Sequence, residues 1–293
     1  MSTTAGRAAG SPSAAVFVPP HARDDQVRMR YAHATAARMF KAAPTGPDVW
    51  GWQGRTLSRQ AGQWWLRLVC APQDKRNLRL WAGTATAHHA LPPTMPRPRL
   101  HHVLEWSAHG HAYRAELSEY VPLPAQQAGG PVLTAGLDLP SAWWADLRLA
   151  LQATSTVVTD RQAVRQQWID KNLARFLGIP AFQESAWTTG HGDLHWANLT
   201  GLPLIMLDWE GWGLVPVGFD AGLLHAYSLN RPATAARIRA EFAHILDTPA
   251  GRAGELVALA QLLQVAGRGG HPDLAPHLAR HAEHLTGTPV PAP

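Results

Sequence analysis

His191-Gly192-Asp193-Leu194-His195-Trp196-Ala197-Asn198, followed by Leu207-Asp208-Trp209-Glu210, is the stretch on which the reading of this 293-residue chain turns. Phosphoryl transfer from a nucleotide needs a carboxylate for the hydroxyl proton, plus an amide oxygen and a second carboxylate to hold a divalent cation against the phosphates. Asp193 and Asn198 stand five positions apart, and Asp208 ends the apolar run LIML. A hairpin turning at Thr200, Gly201 and Leu202 carries Asp208 back over Asp193. A second chemistry competes: on a strand, His191, Asp193 and His195 share one face, a metal triplet for a hydrolase. That alternative leaves Asn198 and Asp208-Trp209-Glu210 unexplained.

Upstream, SAWWADLRLALQATSTVV and DRQAVRQQWIDKNLARFLG have helical length, the second capped by Asp160 and ended by Gly178. Before Pro124 the character differs. DVWGWQGRTLS and QWWLRLVCA read as a hairpin around Gly62, residues 76–90 as one helix, and the segment around His109, Gly110 and His111 as two more strands. A helix from Asp24 to about Ala43 precedes them, with Val27, Tyr31 and Ala34 on its packing face. Trp50, Trp52, Trp64 and Trp65 read as core or strand-face residues.

Composition narrows the classes. With 46% hydrophobic and 16% charged residues the chain is not wholly disordered. Its one cysteine, Cys70, excludes an intramolecular disulfide and a Cys-based zinc cage, and points to a cytoplasmic compartment. No apolar run approaches the roughly 20 residues needed to span a bilayer, so no membrane partner is expected. The Ser/Ala-rich start lacks an apolar signal region, and Asp24 and Asp25 argue against a transit peptide. The net charge of +5 is carried by scattered arginines without a basic block, so no nucleic-acid partner is expected either. No repeat of solenoid length is visible.

At the quoted residues the sequence resembles the aminoglycoside phosphotransferase and choline kinase-like family, whose loop reads H-G-D-x-x-x-x-N and whose metal motif is D-[FW]-E. The resemblance spans roughly residues 48 to 230. It implies an α+β, two-lobed protein-kinase-like fold, a small β-rich N-lobe (24–120, with the leading helix) and a larger, mainly helical C-lobe (121–293); the Ala-, Ser-, Gly- and Pro-rich residues 1–23 read from their composition as a flexible extension. It implies ATP and Mg2+ as cofactors and a small hydroxylated molecule as acceptor. Asp193 becomes the catalytic base, His191 an organiser of its loop, and Asn198 and Asp208 the magnesium ligands. Glu119-Tyr120-Val121 becomes the hinge meeting adenine, with Glu119 and Val121 as cofactor contacts, and Asp220 a structural anchor.

In the N-lobe the family pattern is altered. Gly51 and Gly54 stand where a glycine-rich hairpin covers the phosphates, and Arg67 stands where a strand lysine holds them. No glutamate lies between Arg67 and Leu104, so Arg67 is expected to be free to turn towards the nucleotide. A catalytically weak regulatory or metabolite-binding relative, a pseudokinase, is the alternative function. After Asp220 the acids (Glu241, Asp247, Glu255, Asp273, Glu283) are outnumbered by arginines (Arg231, Arg237, Arg239, Arg252, Arg268, Arg280), and the reading is a neutral or anionic acceptor. Trp196, Trp209, Trp212 and His225 are candidates for that pocket's wall.

Overall fold

The computed structural model describes residues 17–75, 78–126, 130–184 and 186–291; the extension's residues 1–16 lie outside these. Helix α1 (Arg23–Met39) precedes an antiparallel sheet of β1 (Val49–Trp50), β2 (Thr56–Ala61), β3 (Trp64–Pro72), β4 (Leu100–Ala108) and β5 (His111–Glu119), ordered β1-β2-β3-β5-β4. Between β3 and β4 come α2 (Leu78–Trp81) and α3 (Gly83–Ala90), two helices where one was expected. His109 and Gly110, both at positive φ, make the tight turn from β4 to β5.

Strand alternation gives the sheet two faces. Leu66 and Leu68 of β3 and Tyr113, Ala115 and Leu117 of β5 join Met29, Ala32, Ala36 and Ala37 of α1 in one apolar cluster. Buried His33 donates from Nε2 to the Leu66 carbonyl at 3.1 Å. The expected packing face of α1 is thereby corrected: Val27 and Tyr31 are 57% and 70% exposed. The small side chains of the opposite stripe let the helix lie closer to the sheet. Trp65 and Arg67 fall on the other face of β3.

The rest of the chain is mainly helical: α4 (Ser141–Ser155), α5 (Gln166–Leu177), a two-stranded sheet of β6 (Trp187–Gly190) and β7 (Gly213–Pro216), then α6 (Phe219–Ala226), α7 (Pro232–Glu241), α8 (Ala243–Leu246), α9 (Pro249–Ala266) and α10 (Ala275–Thr286). Its apolar cluster is separate from the first. Helix α5 begins later than the expected Asp160 cap, because residues 161–164 run extended along β7, with Leu214 N–H donating to the Arg161 carbonyl (2.6 Å) and Ala163 N–H to the Leu214 carbonyl (3.0 Å). Gly178, at φ +70, ends it as expected.

Fully buried Glu255 ties α6, α7, α9 and α10 together. It accepts from His225 Nδ1 (3.1 Å), His281 Nε2 (2.9 Å) and Arg239 (3.0 Å to each oxygen). Burial disfavours its charge, yet these donors hold its pKa down to about 2. His225 is therefore part of this knot. Trp196, Trp209 and Trp212 are buried in the core, each with its indole N–H bonded inside the protein. The expected aromatic pocket wall is not formed by these four. Among the described residues no helix is long and apolar enough to cross a membrane.

Candidate active site

The loop after β6 is fixed from below by Asp220, in the first turn of α6. Its carboxylate accepts from the N–H groups of His191 (2.6 Å) and Gly192 (2.9 Å). Burial pushes its pKa up to about 6 against the pull of these two bonds. Gly192 sits at φ +78, and a Cβ there would lie 2.7 Å from the Gly211 carbonyl, so the motif's glycine is a steric requirement.

His191, fully buried, donates from Nε2 to the Leu207 carbonyl (2.8 Å) and accepts at Nδ1 from the Asp193 N–H (3.3 Å). Both ring nitrogens are used inside the protein, and burial lowers the pKa to about 4, which keeps the ring neutral. The metal-triplet alternative is overturned here: residues 191–195 lie beyond β6, and His191 has no nitrogen left for a metal.

Asn198 closes the loop. Its amide nitrogen donates to the Asp193 carbonyl (2.9 Å) and stands 3.3 Å from His195 Nε2, which leaves Oδ1 as the group's acceptor. The Asn198 carbonyl accepts from Leu207 N–H (2.8 Å), and Leu199 bridges Met206. The expected hairpin is thus reduced to a bridge and two flanking bonds, yet it returns Asp208 to the loop.

Asp193 points outward, its side chain 48% exposed, with Oδ2 3.6 Å from His195 Nε2. The surrounding protein disfavours its charge, but His195 and His191 outweigh this and lower its pKa. Asp208 holds a left-handed backbone (φ 57, ψ 61). It is reached by solvent yet crowded by protein. That crowding, then repulsion from Glu210 and Asp193 against the pull of Arg67, pushes its pKa up to about 7.

Arg67 is not free, which corrects the sequence expectation. It pairs with Glu210 of the Asp208-Trp209-Glu210 turn and with Glu116 of β5 (3.4 Å). Burial opposes the guanidinium charge, and Glu210, Asp208 and Glu116 together raise its pKa above the ordinary value. Glu116 also accepts from Arg114 Nε (2.7 Å), and Arg114 pairs with Glu105 of β4. The Glu210 carbonyl is held by Arg161 (2.5 Å), whose Nε binds the Trp212 carbonyl (2.6 Å). Helix α3 rides on this turn: Trp212 Nε1 donates to Gly83 (3.1 Å) and Thr86 (3.0 Å), and a Cβ on Gly83 would strike the Glu210 backbone.

Sequence reasoning missed Glu116, Arg114 and Arg161. The available signal was Arg114 and Glu116 in the buried middle of β5, with Glu116 directly opposite Arg67 in the register.

Gly51 and Gly54 lie between β1 and β2, as expected. Gly54 sits at φ +68 with Pro20 where its Cβ would be, and Phe17 stacks edge-on against Trp52 (6.1 Å). Residues of the expected unstructured extension therefore pack on this hairpin. Glu119 ends β5, its carboxylate accepting from Arg99 N–H (3.0 Å). Val121 follows, its backbone N–H bonded to no other described residue.

No protein-family model and no curated protein matches the sequence. Among solved structures, an amicoumacin kinase in complex with AMP-PNP, Ca2+ and Ami is similar at 13% identity with TM-score 0.53, over 90% of this chain and 96% of that one. A microcompartment-associated aminopropanol kinase (14% identity, TM-score 0.49, 86% of this chain and 94% of that one) is also similar. So is a choline/ethanolamine kinase family protein from Mesorhizobium loti (19%, 0.45, 89% and 95%). The likeness to the first, with the sheet order and helical second part described above, shows that this chain has a kinase-like α+β fold.

Proposed function

We propose that the protein transfers the γ-phosphate of ATP to a hydroxyl of a small molecule. One observation supports this reading above the others: the bonds of His191 to Leu207 and of Asn198 to Asp193 and Leu207 link the loop carrying Asp193 and Asn198 to Asp208, whose charge interacts with that of Asp193. The oxygen set suits magnesium. Asp208, held as a crowded carboxylate beside Glu210 and Asp193, is a group whose charge a cation would relieve. Asn198 Oδ1 and Asp208 would hold Mg2+, which when bound neutralises phosphate charge.

Residues 24–120 act as the N-lobe and 121–293 as the C-lobe, with Phe17 and Pro20 bracing the glycine hairpin. The Glu119 carbonyl and the Val121 N–H meet the adenine edge, and the hairpin of Gly51 and Gly54 lies over the phosphates. Arg67 reaches them from the pair it makes with Glu210. Asp193 accepts the acceptor's hydroxyl proton as that oxygen bonds to the γ-phosphorus and the bond to the β-phosphate oxygen breaks, leaving ADP. The lowered pKa of Asp193 keeps it ionised and ready for this role. The ground for a non-catalytic protein was the missing helix glutamate, and Glu116 and Glu210 supply that partner from elsewhere. The arginine-rich C-terminal segment favours a neutral or anionic acceptor.

ATP turnover against a panel of hydroxylated small molecules, with Asp193→Ala as control, tests the proposal. Magnesium-dependent stabilisation by ATP is expected alongside it. Turnover that persists in Asp193→Ala would overturn the assignment.

A further inference from the structure

Three metal-ligating side chains converge in the helical part, and none of Asp193, Asn198 and Asp208 belongs to the group. His225 comes from α6, Glu255 from α9 and His281 from α10. His225 Nδ1 and His281 Nε2 lie 3.1 and 2.9 Å from the same carboxylate oxygen, Oε1, and all three atoms fall within 4.8 Å of one another. Ligands around a tetrahedral ion with bonds of about 2.0 to 2.1 Å stand about 3.3 Å apart, so the two contacts need to open by only a few tenths of an ångström. The helices that carry the group are closely packed: a Cβ on Gly222 of α6 would lie 2.7 Å from Glu255 Cα.

Hydrogen bonding alone fills this carboxylate unevenly. Oε1 faces three donors, His225, His281 and Arg239, while Oε2 faces Arg239 alone. An ionised carboxylate has about four acceptor sites shared between its two oxygens, so one of the three contacts to Oε1 is surplus as a hydrogen bond. A cation seated between the two imidazole nitrogens and Oε1 resolves the crowding. Each imidazole then offers a lone pair in place of a proton, its hydrogen moving to the outer ring nitrogen through water. Arg239 does not exclude such an ion. It reaches the carboxylate from its own helix, α7, and its Nη1 stands 3.6 Å from Asp247, so two carboxylates share one guanidinium.

The donor set selects the kind of ion. Calcium and magnesium take oxygen ligands, whereas two imidazoles with one carboxylate suit zinc and its transition-metal neighbours. We infer that His225, Glu255 and His281 bind a divalent transition-metal ion, zinc by preference, with one coordination position left for water. Glu255, whose side chain is fully buried, forms the floor of the site, and His281, at 14% exposure, forms its rim. The ion pins α6, α9 and α10 to one another.

The inference is independent of the proposed activity and is tested without nucleotide. The full chain, stripped with EDTA, is titrated with Zn2+ by calorimetry in excess Mg2+, which fills oxygen-only sites. One tightly bound zinc per chain is expected, and Co2+ in its place should give the intense visible bands of a tetrahedral ion. His281→Gln keeps a side-chain N–H for Glu255 but no imidazole. It should fold, as read by circular dichroism, and bind zinc at least about tenfold more weakly, since loss of even an outer partner of a metal ligand has that effect. His89→Gln, at an exposed histidine of α3, should leave zinc binding unchanged. The cobalt spectrum of the wild type needs no variant and decides the case even where His281→Gln does not fold. No saturable zinc binding, the weak bands of octahedral cobalt, or undiminished binding in a folded His281→Gln overturns the inference and leaves the cluster a hydrogen-bonded knot. Loss of binding in His89→Gln overturns it too, since the ion is then held at the surface.

Discussion

The loop at 191–220 and the sheet around Arg67 solve the same problem, holding a charged side chain ready, with different sources of partners. In the loop the bonds around Asp193 and Asn198 come from the same continuous segment: Asp220 holds His191 and Gly192, His191 holds Leu207, and Asn198 holds Asp193, while Arg161 and helix α3 hold only the Glu210–Trp212 turn from outside. Arg67 is held instead by one residue across the sheet and one from the far end of that loop. The part of the loop that carries Asp193 and Asn198 is thus held mainly from within, while the sheet takes part of its electrostatic balance from the helical part. A change in the loop should act on chemistry, and a change around Arg67 on how nucleotide is held.

The sharpest break of this comparison is at Asp193. Asp193→Ala should lower turnover by on the order of a hundredfold or more while Mg-ATP still binds, because general-base contributions are of that size and the proposed cation ligands are Asn198 and Asp208. Asp208→Ala should instead lose the magnesium-dependent part of ATP binding, read by calorimetry with and without the metal. If both variants lose binding alike, the division of labour drawn here is wrong.

The same contrast explains what could be read in the sequence. That His191, Asp193, Asn198, Asp208 and Asp220 are linked to one another was legible because all five lie in order on one continuous segment of 30 residues, 191–220. The change from strands to helices near residue 120 was legible from periodicity and turn residues. The Arg67 network was not. Glu116 becomes its neighbour only through the register of β3 with β5, and Glu210 only when the two parts of the chain pack together. The α1 face was misread because Met29, three alanines and a buried histidine, not Val27 and Tyr31, pack on the sheet. The start of α5 was misread because pairing with β7 overrides a good capping residue.

A second prediction concerns pH. His191 is neutral in the folded protein, with its pKa lowered from the ordinary 6.5 to about 4. A depressed pKa contributes stability that is fully present above the unfolded value and lost as pH falls towards the folded one. Wild type should therefore lose, between about pH 6.5 and pH 4, up to about 3 kcal/mol that His191→Gln does not lose. At pH 7.5 the variant is the less stable of the two, since glutamine cannot both donate to Leu207 and accept from Asp193 in the same geometry. Denaturant midpoints across this range check it, and parallel pH profiles would show that the imidazole is not the group responsible.

The smallest expected effect lies on the sheet side and tests whether Arg67 serves two partners. Glu210 binds the guanidinium closely, so nucleotide phosphate must compete with a carboxylate for it. Glu210→Gln removes that competitor's charge but keeps an acceptor for Arg67, and Glu116 still restrains the side chain at 3.4 Å. ATP affinity should rise a few-fold in Glu210→Gln, on the order of 1 kcal/mol, as expected for a partly exposed ion pair. Arg67→Ala should weaken ATP several-fold, and the acceptor's KM should stay nearly constant in both variants. In the double variant the Glu210→Gln gain should disappear, because no guanidinium remains to be released. If Glu210→Gln weakens ATP instead, the glutamate contributes directly to the cation or phosphate site, and the pair is a fixed strut and not a competitor. A gain that survives in the double variant would mean that Glu210 acts on the nucleotide through Asp208, whose charge it repels, and not through Arg67.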